Sequence, residues 1–325
     1  MKAPKFWYRP KTIWEKILTP LGRVYGWSVA RRFKKTRPYQ ANIPVICVGN
    51  LTVGGTGKTP VCLALGQMLK KMGVSFFFLN HGYKSQQKGV FVNRGHMTAL
   101  DVGDEALLLA KMAPTMVDNR RARGAQMIER RGGQAIIMDD GFQNPGLIKT
   151  LSFVVVDGKK GFGNGQMIPA GPLREPIEKG LKRADAIIIA GADERDVSHQ
   201  IRTLFPDMPI LSGRFEPDSK SLKQLKGKSV VAFAGIGSPD KFFNMLTGLG
   251  IPVAKKMSFP DHYFYSRFDI EQILSDAGGL PVVTTTKDFV KVPRELQSRI
   301  TVISGDFVFD KPQEVEQLLK GILPS

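Results

Sequence analysis

The stretch Val45-Ile46-Cys47-Val48-Gly49-Asn50-Leu51-Thr52-Val53-Gly54-Gly55-Thr56-Gly57-Lys58-Thr59-Pro60 constrains the chain more than any other. A short apolar run of strand character breaks into glycines, reaches Gly-Lys-Thr and passes into a helical-looking segment over residues 60–70. Strand, glycine loop and helix start are the context a phosphate-binding loop requires. Glycines let consecutive backbone N–H groups turn inward around a polyphosphate, and the helix N-terminus adds partial positive charge. In that setting Thr52, Val53, Gly54, Gly55, Thr56, Gly57, Lys58 and Thr59 surround the nucleotide. Lys58 reaches the β- and γ-phosphates and the Thr59 hydroxyl ligates Mg²⁺. Pro60 gives up only an N–H that has no intrahelical partner. The pattern departs from its usual form at Thr52, which stands six residues before Lys58 where glycine is customary.

With 325 residues, 42% of them hydrophobic, the chain can bury the cores of two domains. Its two cysteines, Cys47 and Cys62, sit in apolar segments flanking the loop, show no metal-ligand spacing and imply a reducing compartment. No cleavable signal peptide is visible, and no apolar run is long enough to span a bilayer. The net charge of +18 is unevenly placed: residues 1–40 hold eleven Lys/Arg against one Glu. Such clustering calls for an anionic partner, nucleic acid or a membrane surface. No zinc-finger, helix-turn-helix or RNP-type signature accompanies it.

Within residues 11–33, Trp14, Ile17, Leu18, Leu21, Val24 and Tyr25 recur at helical spacing among Lys and Arg, with Pro20 predicted to kink or divide the helix. A basic amphipathic helix carrying Trp and Tyr suits the plane of a bilayer interface; an ordinary packed helix is the plainer alternative. From residue 43 short apolar runs alternate with helical stretches. Strands are predicted over 43–48, 74–79, 114–117, 134–138, 152–156, 184–189 and 209–212, and helices over 59–72, 103–112, 119–131 and 176–182. This is the pattern of an α/β protein with a mostly parallel sheet covered by helices on both faces. A polar stretch near 213–228 reads as a linker between a first unit, 37–212, and a smaller α/β/α unit, 229–325. Residues 1–36 stand apart as the N-terminal helix. The second unit has predicted strands over 229–234, 251–257, 281–285 and 300–303, and helices over 239–248, 268–276 and 312–322.

In parallel sheets ligands gather beyond the carboxyl ends of the strands. Ala135-Ile136-Ile137-Met138 ends there in Asp139-Asp140, a place where such proteins hold Mg²⁺. Gly103-Asp104-Glu105 opens a helix, and Asp104 reads locally as its N-cap. Arg120 and Arg121 follow another apolar run and suit either a phosphate or a basic helix face. The segments 161–165 and 169–176 form a long irregular loop, in which Glu175 is placed to reach a metal and Arg174 an anion. Gly235-Ile236-Gly237-Ser238-Pro239 reads as a glycine turn into a helix, too short a signal for a second nucleotide site. His262 beside Asp261 can transfer a proton, although a loop histidine is more often structural.

Taken in order, the phosphate loop, Gly103-Asp104-Glu105, Asp139-Asp140-Gly141, Gly161-Phe162-Gly163-Asn164-Gly165, Pro169-Ala170-Gly171-Pro172-Leu173-Arg174-Glu175-Pro176 and Phe259-Pro260-Asp261-His262 resemble the tetraacyldisaccharide 4′-kinase family, over nearly the whole chain. The resemblance implies ATP-dependent phosphorylation of the 4′-hydroxyl of a tetraacyl disaccharide 1-phosphate, giving lipid IVA. It also implies a monotopic position on the cytoplasmic face of the inner membrane, on an anionic lipid surface, with no nucleic-acid partner and a monomeric chain. It assigns nucleotide and metal to Lys58 and Thr59, places Asp139 and Asp140 beside the metal with Glu175 near it, and makes Asp104 and His262 the pair that activates the sugar hydroxyl. The chain departs from the family at Asn80-His81, where Ser-Arg is usual, at Phe142 and Asn144, where Leu and His are common, and at Thr286, where Glu is common. A membrane-associated ATPase switch of the partition or septum-site type shares the loop. It carries an extra Lys before the first Gly, where this chain has Val53.

Overall fold

The computed structural model describes residues 4–9 and 12–323; the outermost residues of the expected terminal segments and Pro10–Lys11 lie outside them. A nine-stranded sheet carries the strand Val45–Gly49 near its middle, flanked by the parallel strands Ala135–Asp139 and Leu151–Asp157. All three are buried along their length, which is why each reads as a continuous apolar run. Alternation still assigns the faces. Ile46, Val48, Phe153 and Val155 pack with Val61, Leu65 and Leu69 of the helix Lys58–Lys71. Cys47, Val154 and Val156 pack on the other side with Ala125, Ile128 and Phe142. Each such fully buried aliphatic or aromatic side chain contributes about 1.5–3 kcal/mol.

The second sheet is parallel throughout, in the order Val253–Ser258, Val230–Ala234, Val282–Thr285, Thr301–Ile303. Its boundaries correct the sequence reading. The chain does not stay in this unit to its end: Gly305–Phe309 returns to the first sheet and pairs antiparallel with Ile210–Pro217. The helix Pro312–Lys320 follows it and sends Val315 and Leu319 into the first core beside Phe307 and Phe309. The supposed linker 213–228 is the end of one strand, the helix Ser219–Lys223 and Leu225, which is buried in the second core. Strand Ile210–Pro217 lies next to the sheet edge and exposes alternate residues, so its polar positions imitate a loop.

The N-terminal helix runs unbroken over Ile13–Lys35, through Pro20. Thr19 Oγ1 donates to the Glu15 carbonyl in the interrupted turn, and the Lys16 carbonyl, which loses its usual donor, belongs to an exposed residue. Only Gly22 of this helix is buried. It and Gly26 form a notch for Met167, whose carbonyl oxygen would lie 3.0 Å from a Cβ at position 22. The opposite face leaves Ile13, Trp14, Ile17, Leu21, Val24 and Trp27 each more than half exposed. No helix among the described residues is long and apolar enough to cross a membrane.

Candidate active site

The loop Asn50–Gly57 is shaped by its glycines and clamped from outside. Gly54 and Gly57 take φ of +110° and +94°, open to glycine and strained for other residues. Val53 N donates to the Pro172 carbonyl and Arg174 N to the Leu51 carbonyl, so the long 158–176 loop braces the turn. Asn50 Nδ2 donates to Thr56 Oγ1 (3.2 Å), and Gln143 Nε2 to the Asn50 carbonyl (2.7 Å). The amides of Gly54, Gly55, Thr56 and Gly57 have no protein acceptor among the described residues. They lie at the start of the helix Lys58–Lys71, the arrangement that binds phosphate.

Thr59 Oγ1 donates to Asp139 Oδ2 (3.0 Å), as does Asn80 Nδ2 (3.3 Å), while Asp139 Oδ1 is buried without a partner. Burial, with Glu105 close by, pushes the Asp139 carboxyl up to about 7 in spite of Lys58. A buried carboxylate with one oxygen unsatisfied, beside a threonine hydroxyl, fits a hard divalent cation; Mg²⁺ takes one or two such side chains and completes its shell with water and phosphate. Asp140 differs. Lys58 Nζ lies 3.7 Å and Arg174 Nη1 2.9 Å from its two oxygens, and these cations overcome burial and hold its carboxyl well below the usual range. Asp140 thus has two cations on it, whereas Asp139 keeps one oxygen without a partner.

Other sequence assignments change once partners are seen. Arg121 is buried and donates to the carbonyls of Asp118, Asp139 and Asp140, so it shapes the turn that holds Asp140 at φ +51°. Arg120 is exposed, and the Arg174 guanidinium meets Asp140 and Gln143. Glu175, expected at the metal, is buried with Arg183 Nη2 2.8 Å from both its oxygens. The Arg183 guanidinium is stacked 4.4 Å from the Phe33 ring and 4.9 Å from that of Phe142. Glu175 instead accepts from Gln143 and so helps to fix the phosphate loop.

The two units meet over this loop. An added Cβ on Gly237 would stand 3.1 Å from Gly55 N, which brings the second glycine turn against the first. Lys241 of the helix Pro239–Gly248 pairs with Asp157 (2.5 Å), and Lys160 Nζ donates to Ser238 Oγ (2.6 Å). On the other flank His262 Nδ1 lies 3.0 Å from both oxygens of Asp104. Asp104 is buried at the start of the helix Asp104–Leu109, and His262 is held at φ +57°. Burial alone would raise the Asp104 carboxyl; the bond to His262 and the charges of Lys287 and Lys291 outweigh it and hold the group at about 2. Lys287 Nζ contacts Glu105 (3.0 Å) and Asp261 (3.8 Å), and these charges raise its pKa against burial. No local pattern pairs Glu105 with Lys287, which lies 182 positions further along the chain. Cys47 and Cys62 are buried, and burial pushes the Cys47 thiol up to about 12 and Cys62 higher than its usual value, so both are inert here.

The family described as Tetraacyldisaccharide-1-P 4′-kinase matches residues 14–323. A tetraacyldisaccharide 4′-kinase of Rhodospirillum rubrum is 46% identical over 333 residues, covering 100% of both chains. One from Paramagnetospirillum magneticum is 44% identical, covering 99% of each. Among solved structures, the "apo" form of LpxK from Aquifex aeolicus in complex with ATP is similar with a TM-score of 0.78 and 29% identity, over 95% of this chain and 99% of that one.

Proposed function

The chain belongs to the tetraacyldisaccharide-1-P 4′-kinase family, and from that premise we propose which of its groups carry the transfer. The reaction moves a phosphoryl group from ATP to the 4′-hydroxyl of tetraacyldisaccharide 1-phosphate, giving lipid IVA in lipid A biosynthesis. Phosphoryl transfer asks a protein mainly for alignment and charge neutralisation. The free amides of Gly54–Gly57 and the Lys58 ammonium bind the phosphates. Thr59 Oγ1 and Asp139 would hold Mg²⁺, which would supply charge neutralisation for the transferring phosphate.

The acceptor hydroxyl must also lose a proton. With hydrogen on Nδ1, His262 donates to the ionised Asp104, which fixes the ring and stabilises the imidazolium; Nε2 is left to take the proton from the sugar. The observation that carries this reading is the contact itself: a histidine of the second unit on a buried carboxylate of the first, beside the phosphate loop. A nucleotide switch of the partition type would need no such acceptor. The test is transfer of labelled γ-phosphate to the lipid disaccharide in detergent. Asp104→Ala should lower kcat about a hundredfold or more while ATP Kd stays within about twofold; an equal loss of ATP binding would make Asp104 a nucleotide ligand. Chelating divalent cations should stop transfer, and transfer that continues would remove the cation from this account.

The helix Ile13–Lys35 places its exposed apolar stripe in the plane of an anionic inner-membrane surface, on the cytoplasmic side where ATP is supplied, and a single chain suffices for the site. Replacing Trp14 and Trp27 together by Ser should weaken partition to vesicles containing phosphatidylglycerol by tenfold or more. Unchanged partition would place the attachment elsewhere.

A further inference from the structure

We propose that Lys291, with Asp288, is a positioning residue that sets the His262–Asp104 pair when the two units meet. Lys291 is four residues beyond Lys287, and its side chain is wholly buried, as is that of Asp288. A buried lysine is costly unless its charge is met and its donors are used. Lys291 Nζ lies 2.8 Å from Asp288 Oδ1, 3.2 Å from the Gly235 carbonyl and 3.9 Å from Asp104 Oδ2. Its three partners therefore include the base pair's own carboxylate, which belongs to the other unit.

The Gly235 peptide groups show what this accomplishes. Gly235 N donates to Asp288 Oδ1 (2.9 Å), and its carbonyl accepts from both Lys291 Nζ and His262 N (3.2 Å). Tyr265 completes the cluster by donating to Asp288 Oδ1 (3.0 Å). Asp288 and Lys291 thus fix the residue that carries the His262 backbone, which sits in a left-handed conformation that an L side chain adopts only when its surroundings impose it. The same ammonium faces Asp104. Lys291 and Lys287 meet the adjacent Asp104 and Glu105, so one short turn, around the helix Thr286–Phe289, reads both acids of the first unit. The ion pair locks the second unit in the register at which Nδ1 reaches Asp104.

This rests on the reading of Asp104 and His262 as the proton acceptor, and the test separates the two. Lys291→Gln keeps a donor for the Gly235 carbonyl and removes the charge. Asp288→Asn/Lys291→Met removes both charges, avoiding an unpaired buried ion, while Asn retains an oxygen for Gly235 N and Tyr265. Labelled phosphate transfer, ATP Kd, lipid KM and thermal melting are measured for both, beside Asp104→Asn. The expected result is a fall in kcat of about tenfold to a hundredfold in each Lys291 variant, with Kd and KM within about twofold. It persists in the double variant although its melting temperature recovers. Recovery of kcat together with stability in the double variant, or kcat within twofold of the parent in Lys291→Gln, would overturn the proposal and leave Lys291 as a core ion. Should Asp104→Asn also leave kcat unchanged, it is the proton-acceptor reading that fails.

Discussion

Two glycine turns face each other across the cleft, each joining a buried strand to a helix, and they differ in how their leading glycine is held. In Gly54–Gly57 the amides are left free, the space around Gly54 and Gly55 side-chain positions is open, and the following residues are Lys58 and Thr59. In Gly235–Ser238 the Gly235 amide and carbonyl are both taken, by Asp288, Lys291 and the backbone of His262. Glycine, strand and helix recur; the Gly235 N–H is spent on Asp288, while those of Gly54–Gly57 find no acceptor among the described residues. The run of unspent donors before Lys58 is a receptor for anions, whereas the Gly235 peptide, bound through both its amide and its carbonyl, is a rigid mount, here for the histidine.

The contrast is broken most severely at Lys58. Lys58→Met should reduce phosphate transfer by roughly a thousandfold, as loss of a preorganised charge does, and leave the second turn intact; a loss below tenfold in the transfer assay would mean the first turn is not the phosphate receptor. A smaller effect sharpens the mounting role of the second. Because the Asp104 carboxyl is held at about 2, below its unfolded value, the stability it contributes is present above about pH 4 and is lost as pH falls through 2. With Asp104 buried, that contribution is about 2–3 kcal/mol. Urea unfolding of Asp104→Asn should therefore show a shallower loss of stability between pH 4 and pH 2 than the parent, and parallel curves would refute the pairing. The smallest effect belongs to Gly237→Ala. Its methyl group would come within 3.1 Å of Gly55 N, so one turn must give by a few tenths of an ångström. Turnover should fall about threefold to tenfold with melting nearly unchanged; full activity would show that the turns stand apart during catalysis.

What the sequence made legible follows the range of the physics. The phosphate loop is local: strand run, glycines, Lys58 and Thr59 lie within fifteen residues, and the structure keeps them together. The parallel sheet is legible too, because strands buried on both faces are uniformly apolar. The Asp104–His262 contact joins residues 158 positions apart, and composition alone gave each a plainer role; only the family resemblance paired them. The partners of Glu175 and Arg121 were illegible for a related reason. Each looked like a free charge, and the groups that consume them, Arg183 and three backbone carbonyls, are invisible until the chain is folded. The domain end failed because Gly305–Phe309 alternates as strands in either unit would, and nothing local says which sheet it joins.

The brace that runs from Met167 to Arg174 holds two distant duties in one short piece of chain. At one end Met167 fills the glycine notch under the helix with the exposed apolar stripe; at the other, Pro172 and Arg174 grip the phosphate loop and Asp140. Hydrogen bonds from Gly171 N to the Met167 carbonyl and from Leu173 N to that of Gln166 stiffen it. Even fully extended, its span is at most about 25 Å. A tether that short and that rigid lets neither end drift alone, so the phosphate loop is bolted mechanically to the helix Ile13–Lys35.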